Sequence, residues 1–97
     1  MDKLMVTIIH ERSIDEEVQD LLKELGIEKY TQWQNTVGVG ENGPHLGTPV
    51  WPSLNHITLV VIDSAHREAV LEGVRGLQRE FPFIGLRAVL TPVVEMV

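Results

Sequence analysis

The hydrophobic pattern switches between two periods along the chain. In Lys3 to His10 (KLMVTIIH), Leu4, Val6 and Ile8 share one parity while Met5, Thr7 and Ile9 share the other. Side chains alternate across a strand, so both faces here are apolar, the mark of a central strand covered on two sides. Ile57 to Ile62 (ITLVVI) repeats the pattern, and Leu86 to Thr91 (LRAVLT) gives a shorter version. Between these runs the period becomes helical. Ile14, Val18, Leu21, Leu22 and Leu25 fall at offsets of 4, 7, 8 and 11, which is one stripe of an α-helix. Val70, Val74, Leu77 and Phe81 form the stripe of a second helix, which Asp63 or Ser64 is placed to cap and Pro82 stops. Lys29 to Val39 (KYTQWQNTVGV) is β-prone with one wetter face, which predicts an edge strand.

Local signals mark the ends. Ser13-Ile14-Asp15-Glu16 has the form of a capping box, in which Ser13 and Glu16 would each accept the other's backbone amide. Gly26 is placed to end the first helix in a left-handed conformation. Gly73 and Gly76 weaken the second helix by up to ~1 kcal/mol each relative to Ala, so a close neighbour is expected there. Gly40 to Asn55 (GENGPHLGTPVWPSLN) reads as a loop holding three of the eight Gly and three of the five Pro. A loop of that length is usually functional, and its prolines lower the entropy it loses on ordering. The tail Val93 to Val97 is apolar enough to pair again or to pack on a partner.

The order βαββαβ predicts one α+β domain over residues 1–97: a ferredoxin-like sandwich, antiparallel sheet order 4-1-3-2, with both helices on one face. Two helices cover one face only. The first, third and fourth strands are apolar on both, leaving roughly several hundred Å² of greasy surface in a lone protomer. The expectation is that this face packs on copies of itself in a closed ring. The competing expectation is that the 40–55 loop folds back over it.

Composition narrows the function. Eight Lys and Arg against 14 Asp and Glu give a net charge of −6, which argues against nucleic acid as a partner. The absence of Cys removes disulfides, thiolate metal sites and cysteine nucleophiles. No apolar run reaches the roughly 18–20 residues of a membrane span, and no leader-like segment opens the chain, so a cytoplasmic protein is expected. Ser13, Ser53 and Ser64 lack a nucleophile-elbow context, and Glu11, Glu41 and Glu95 are unpaired in sequence, so no enzymatic chemistry is expected. His45 sits in the loop four residues after Glu41; His10 closes the first strand and His56 opens the third. Imidazole and carboxylate together suit Zn, Cu or Ni, although no paired-histidine spacing is present. His66 is expected to be exposed. Trp33 and Trp51 are expected to pack in a core or interface, with stacking on a ligand ring as the alternative.

Val37-Gly38-Val39-Gly40-Glu41-Asn42-Gly43 at the end of the second strand, with the βαββαβ order and the length, resembles the P-II signalling proteins. In that family a V-x-G-x-G-x-x-x-G-H stretch opens a long mobile segment, the T-loop, here matched by residues 40–55. Gly38 and Gly40 match the paired glycines; Gly43 and His45 lie near the later Gly-His, out of register. The resemblance implies a homotrimer with sheets facing inward, and clefts between subunits holding an adenine nucleotide or another small effector near Gly38, Gly40 and Arg87. It also implies a T-loop that docks on a partner protein, a transporter or a metabolic enzyme. The family's glycine-rich segment before the fourth strand is replaced by Glu80-Phe81-Pro82-Phe83-Ile84-Gly85, with one Gly and no Lys. The CutA-like proteins, a related branch with the same fold, imply the alternative of a divalent-metal-binding or transporter-associated module with His45, Glu41 and His10 as ligands.

Overall fold

The computed structural model describes residues 2–97. In chain order the elements are β1 (Lys3–Glu11), α1 (Asp15–Glu24), β2 (Thr31–Thr36), β3 (Gly38–Gly40), β4 (Gly43–His45), β5 (Asn55–Asp63), α2 (Arg67–Glu80) and β6 (Leu86–Val93). Four of the strands form one antiparallel sheet in the order β2-β5-β1-β6, and β3 and β4 form a separate two-stranded hairpin. With the hairpin set aside, this is the 4-1-3-2 order expected from the sequence. β1 lies at the centre, paired along its whole length with β5 from Lys3↔Asp63 to Glu11↔Asn55, and on its other side with β6.

That register brings the even-numbered side chains of three strands to one face. Val6 and Ile8 of β1, Val60 and Ile62 of β5 and Leu86 of β6 pack beneath Ile14, Val18 and Leu22 on the first helical stripe and Val70 and Val74 of α2. The helices touch closely at Gly73, where a Cβ would lie 2.5 Å from Leu21 Cδ1. This is the neighbour expected for Gly73. At Gly76 only the Arg79 guanidinium comes as near as 3.9 Å, and nothing in the structure explains that glycine.

Gly26 does end α1 as expected. It has φ +72°, its amide bonds to the Lys23 carbonyl and the Ile27 amide bonds to the Leu22 carbonyl. These two bonds satisfy carbonyls that would otherwise lack partners. The start of α1 differs from the capping box. Ser13 lies within a single 3-10 turn, Arg12–Ile14, and α1 begins at Asp15 with no side-chain cap. The Asp15 amide bonds instead to the Arg12 carbonyl, and Asp15, Glu16 and Glu17 place negative charge on the first turn. α2 is entered the same way, through Ser64–His66.

The second half of the predicted edge strand also differs. Asn35 takes φ +56° and the β2–β5 register shifts between Trp33 and Thr36. A bulge of this kind turns a strand out of its sheet, and the chain leaves β5 after Thr36. Gly38–Gly40 then pairs with Gly43–His45 across a two-residue turn at Glu41-Asn42, so part of the expected loop is a hairpin. Gly43 (φ +102°) supplies the left-handed conformation that a short hairpin turn needs. The rest of the segment is folded on itself by bonds from the Leu46 and Thr48 amides to the Trp51 carbonyl and from the Gly47 amide to the Ser53 carbonyl.

The odd-numbered face of the sheet stays open in the protomer. Val61 is 36% exposed and Val89 49%, whereas Val60 is 2% exposed. The 40–55 segment therefore leaves Val61 and Val89 uncovered and reaches the face only at its Ile9–Arg87 end. Trp33 and Trp51 are both about half exposed, outside the core; Trp51 lies against Gly43 of the hairpin. Among the described residues no helix is long and apolar enough to cross a membrane.

Candidate functional site

Two backbone bonds fix the end of β1. The Glu11 amide donates to the Gly85 carbonyl, and the Arg12 amide to the Leu54 carbonyl. They tie together the entry to β6 and the entry to β5. Beyond the Asn35 bulge the β3–β4 hairpin runs across the end of the sheet, past Asn55 of β5 and Glu11 of β1, and its turn meets β6. Between hairpin and sheet lies a cleft of about 370 Å³. Gly40, Glu41, His45 and Asn55 form one wall; Gln78, Ile84, Gly85 and Arg87 are among those forming the other.

Polar contacts cross this cleft. Arg87 Nη2 lies 2.8 Å from Glu41 Oε1, joining β6 to the hairpin turn. His45 Nδ1 and Asn55 Oδ1 are 2.6 Å apart, so the protonated Nδ1 donates to the amide oxygen. That leaves His45 Nε2 facing Glu11, whose Oε2 is 3.9 Å away and whose Oε1 accepts from Ser53. Arg87 is the one permanently cationic side chain lining the cleft among the described residues. It is well exposed, and its partner in the protomer is the Glu41 carboxylate. Gly85 has no Cβ to fill the space beside His45 Cε1, and the α2–β6 turn before it is closed by the Ile84 amide donating to the Phe81 carbonyl.

Of the residues singled out by sequence, Gly40, Glu41, His45 and Arg87 meet at this cleft. Gly38 lies behind it, where a Cβ would press on Asn55 Nδ2 at 3.2 Å. His10 lies elsewhere, fully buried beneath α1. Its Nδ1–H donates to the Glu11 carbonyl, and its Nε2 accepts from the Thr58 hydroxyl. Gln32 completes that network by donating to both Thr58 Oγ1 and Asp15 Oδ1. His56 stands edge-on to His10 with ring centres 5.8 Å apart, and its Nδ1 is 3.3 Å from Asp15 Oδ1 without the angle of a hydrogen bond. Burial pushes the His10 pKa down, against smaller upward effects of the Glu11 carbonyl and Asp15 and a further lowering by His56. Among the described residues no three His, Asp or Glu side chains are grouped to hold a metal ion.

Asn55, Gln78 and Gly85 escaped the sequence reading. Asn55 is legible only through register: it is the β5 residue opposite Glu11, and so stands at the same sheet end as His45. Gly85 carried a signal, a glycine between an apolar turn and a strand, without a motif to interpret it.

No family model matches the sequence, and no curated protein matches it. Solved structures do. CPII from Thiomonas intermedia K12, bound to ADP and bicarbonate, superposes with a TM-score of 0.78 at 22% identity, over 96% of this chain and 87% of that one. A second structure of CPII, described as a nitrogen regulatory PII-like protein and bound to ADP, AMP and bicarbonate, gives 0.75 at 21% identity over the same shares. A PII-like signalling protein of Thermus thermophilus gives 0.62 at 26% identity, over 96% of this chain and 91% of that one. Nearly full coverage in both directions at these TM-scores makes the fold of this chain the P-II-like fold.

Proposed function

We propose that this chain is a regulatory protein of the P-II-like kind, which binds an adenine nucleotide in the Arg87 cleft and signals through the 41–54 segment. The observation that carries the reading is the meeting of Gly40, Gly85 and Arg87 around one cleft, in a fold whose CPII structures hold ADP and AMP. Fold alone does not assign function; the cleft supplies the chemistry. Arg87 offers a planar, permanently charged donor to a phosphate. Gly40 and Gly85 let backbone approach a ligand where a Cβ would intrude. Apolar Ile84 and Phe81 give a base or ribose a dry wall. The cleft opens beside the β6 edge and the uncovered sheet face, so sister chains packing on that face, three around a ring, would close it. With no nucleophile and base paired in the cleft, the reading is of binding rather than turnover.

Mechanistically, the nucleotide occupies the β6 wall beside the hairpin, the hairpin changes position in response, and the partner protein reads the position of the segment that follows. Calorimetry with AMP, ADP and ATP tests this. At least one nucleotide is expected to bind, and Arg87→Gln to weaken it about tenfold or more, as loss of a charged hydrogen bond does. No heat and no shift in thermal midpoint with any of the three overturns the reading.

A further inference from the structure

The phosphate site of the proposed cleft is already occupied by the protein itself. Arg87 Nη2 holds Glu41 Oε1 at 2.8 Å, and Glu41 sits in the two-residue turn of the hairpin. Side chains tie the hairpin to the sheet at its base, where His45 meets Asn55 and Glu11, and at its tip. His45–Asn55, at its base, is part-buried; Arg87–Glu41, at its tip, is exposed on both sides, 64% and 83%. We propose that Glu41 is the specificity-determining competitor of the site: its carboxylate stands where a ligand's phosphate must go, and only a phosphate-bearing ligand displaces it and frees the hairpin tip. This rests on the nucleotide reading above and adds to it the residue that sets selectivity and the contact that transmits binding.

The charge balance supports a displaceable competitor. An exposed carboxylate–guanidinium pair with one close oxygen contact is weak, because water and salt screen it and two long side chains lose freedom. A terminal phosphate carries about 1.5 to 2 negative charges near neutral pH and presents several oxygens to the guanidinium fork. A phosphate therefore wins Arg87, while a neutral nucleoside, with nothing to offer the guanidinium, leaves the pair closed. Once Glu41 is released it faces the incoming phosphate with like charge, which drives the turn away from β6. The part-buried His45–Asn55 bond holds the base, so the tip swings about it.

The test compares wild type, Glu41→Gln, Arg87→Gln and the double variant. Calorimetry uses AMP and adenosine, and hydrogen exchange follows the amides of residues 40–46. Glu41 is exposed at a turn, so Glu41→Gln is expected to fold normally. AMP should bind Glu41→Gln about two- to five-fold more tightly than wild type, the range for an exposed ion pair. Adenosine should bind both alike. The gain should vanish in the Arg87→Gln background, and the hairpin amides of ligand-free Glu41→Gln should exchange as fast as those of AMP-bound wild type. If wild type binds AMP but Glu41→Gln gains nothing, or gains equally without Arg87, the competitor role is overturned and the nucleotide site stands. If neither protein binds any nucleotide, the site reading fails and this inference with it.

Discussion

Val60 and Val61 are neighbours on the same strand, yet one is 2% exposed and the other 36%. The same contrast runs along β1, where Ile8 is 1% exposed and Ile9 36%. The two faces of the sheet are built from similar side chains and differ only in what lies over them. On one side α1 and α2 provide the cover; on the other the protomer provides only the hairpin tip at the Ile9–Arg87 end. Apolar area removed from water is worth roughly 25 cal/mol per Å² wherever it is removed, so the open face represents stabilisation that the single chain leaves uncollected. A sequence that keeps Met5, Ile57, Leu59, Val61 and Val89 there, rather than the polar residues of a solvated face, fits a second cover made from copies of itself.

The largest effect separating the faces is expected in the core. Ile8→Ala removes methylenes from a site with no solvent access and should cost about 2–5 kcal/mol, measured as a lowered midpoint in urea. Val61→Ala in a dilute, dissociated sample should cost about 0.5 kcal/mol or less, like other surface truncations. If the two substitutions cost the same at a concentration where the sample is shown to be a lone protomer, the faces are not distinct and the comparison fails.

The next effect concerns assembly rather than folding. Val61→Asp puts a carboxylate at the middle of the open face, opposite Met5. A charge buried without a partner is costly, so copies should no longer pack there while the protomer keeps its helices and its core. Sedimentation should show wild type as a trimer at micromolar concentration and Val61→Asp as a single chain with unchanged far-ultraviolet circular dichroism. A wild-type protein that sediments as a single chain would remove the second cover altogether.

How much of this was legible follows the same divide. The strands, both helical stripes and the two apolar faces of the sheet came from local periodicity, because a strand or helix displays its burial in every second or third to fourth residue; the sheet order followed from the crossover rule, and which parity the helices cover was not legible. Gly26 was legible because a left-handed helix end has few occupants. The site was less so. Its wall depends on Asn35, a non-glycine residue at positive φ, and nothing in Gln34-Asn35-Thr36 distinguishes a bulge from a continuing strand. The hairpin that this bulge frees brings Glu41 across to Arg87, residues 46 positions apart, and no local pattern encodes so distant a pair. The capping box failed for a related reason: Ser13 and Glu16 have the right spacing, yet the backbone satisfied its first donors through a 3-10 turn. His10 read as a candidate ligand on composition, whereas it shares the parity of Val6 and Ile8 and, once the structure shows that this parity is the covered one, belongs under the helices.

That buried histidine gives the smallest and most specific expectation. His10 is fully buried, its Nδ1–H bound to the Glu11 carbonyl and its Nε2 accepting from Thr58. The neutral ring fits this pattern; a proton on Nε2 would turn an acceptor into a donor facing a hydroxyl that must then reorient. Burial is the main cause that holds its pKa below the ordinary 6.5, and His56 adds to it, while the Glu11 carbonyl and the Asp15 carboxylate, 3.7 Å from Nε2, oppose it. The sign of the effect follows from proton counting. As pH falls through 6.5 the unfolded chain takes up a proton that the folded chain refuses, so stability is fully present above that value, is lost progressively below it, and levels off below the folded pKa. Thermal midpoints measured from about pH 7.5 to about pH 5 should therefore decline in wild type more steeply than in His10→Gln, which keeps a hydrogen-bonding side chain without a titrating one. The slope is the readout, since the substitution can lower stability at every pH without affecting it. Parallel slopes for the two proteins would show that His10 does not carry the pH dependence, and that its bonds to Thr58 and the Glu11 carbonyl are only satisfied hydrogen bonds.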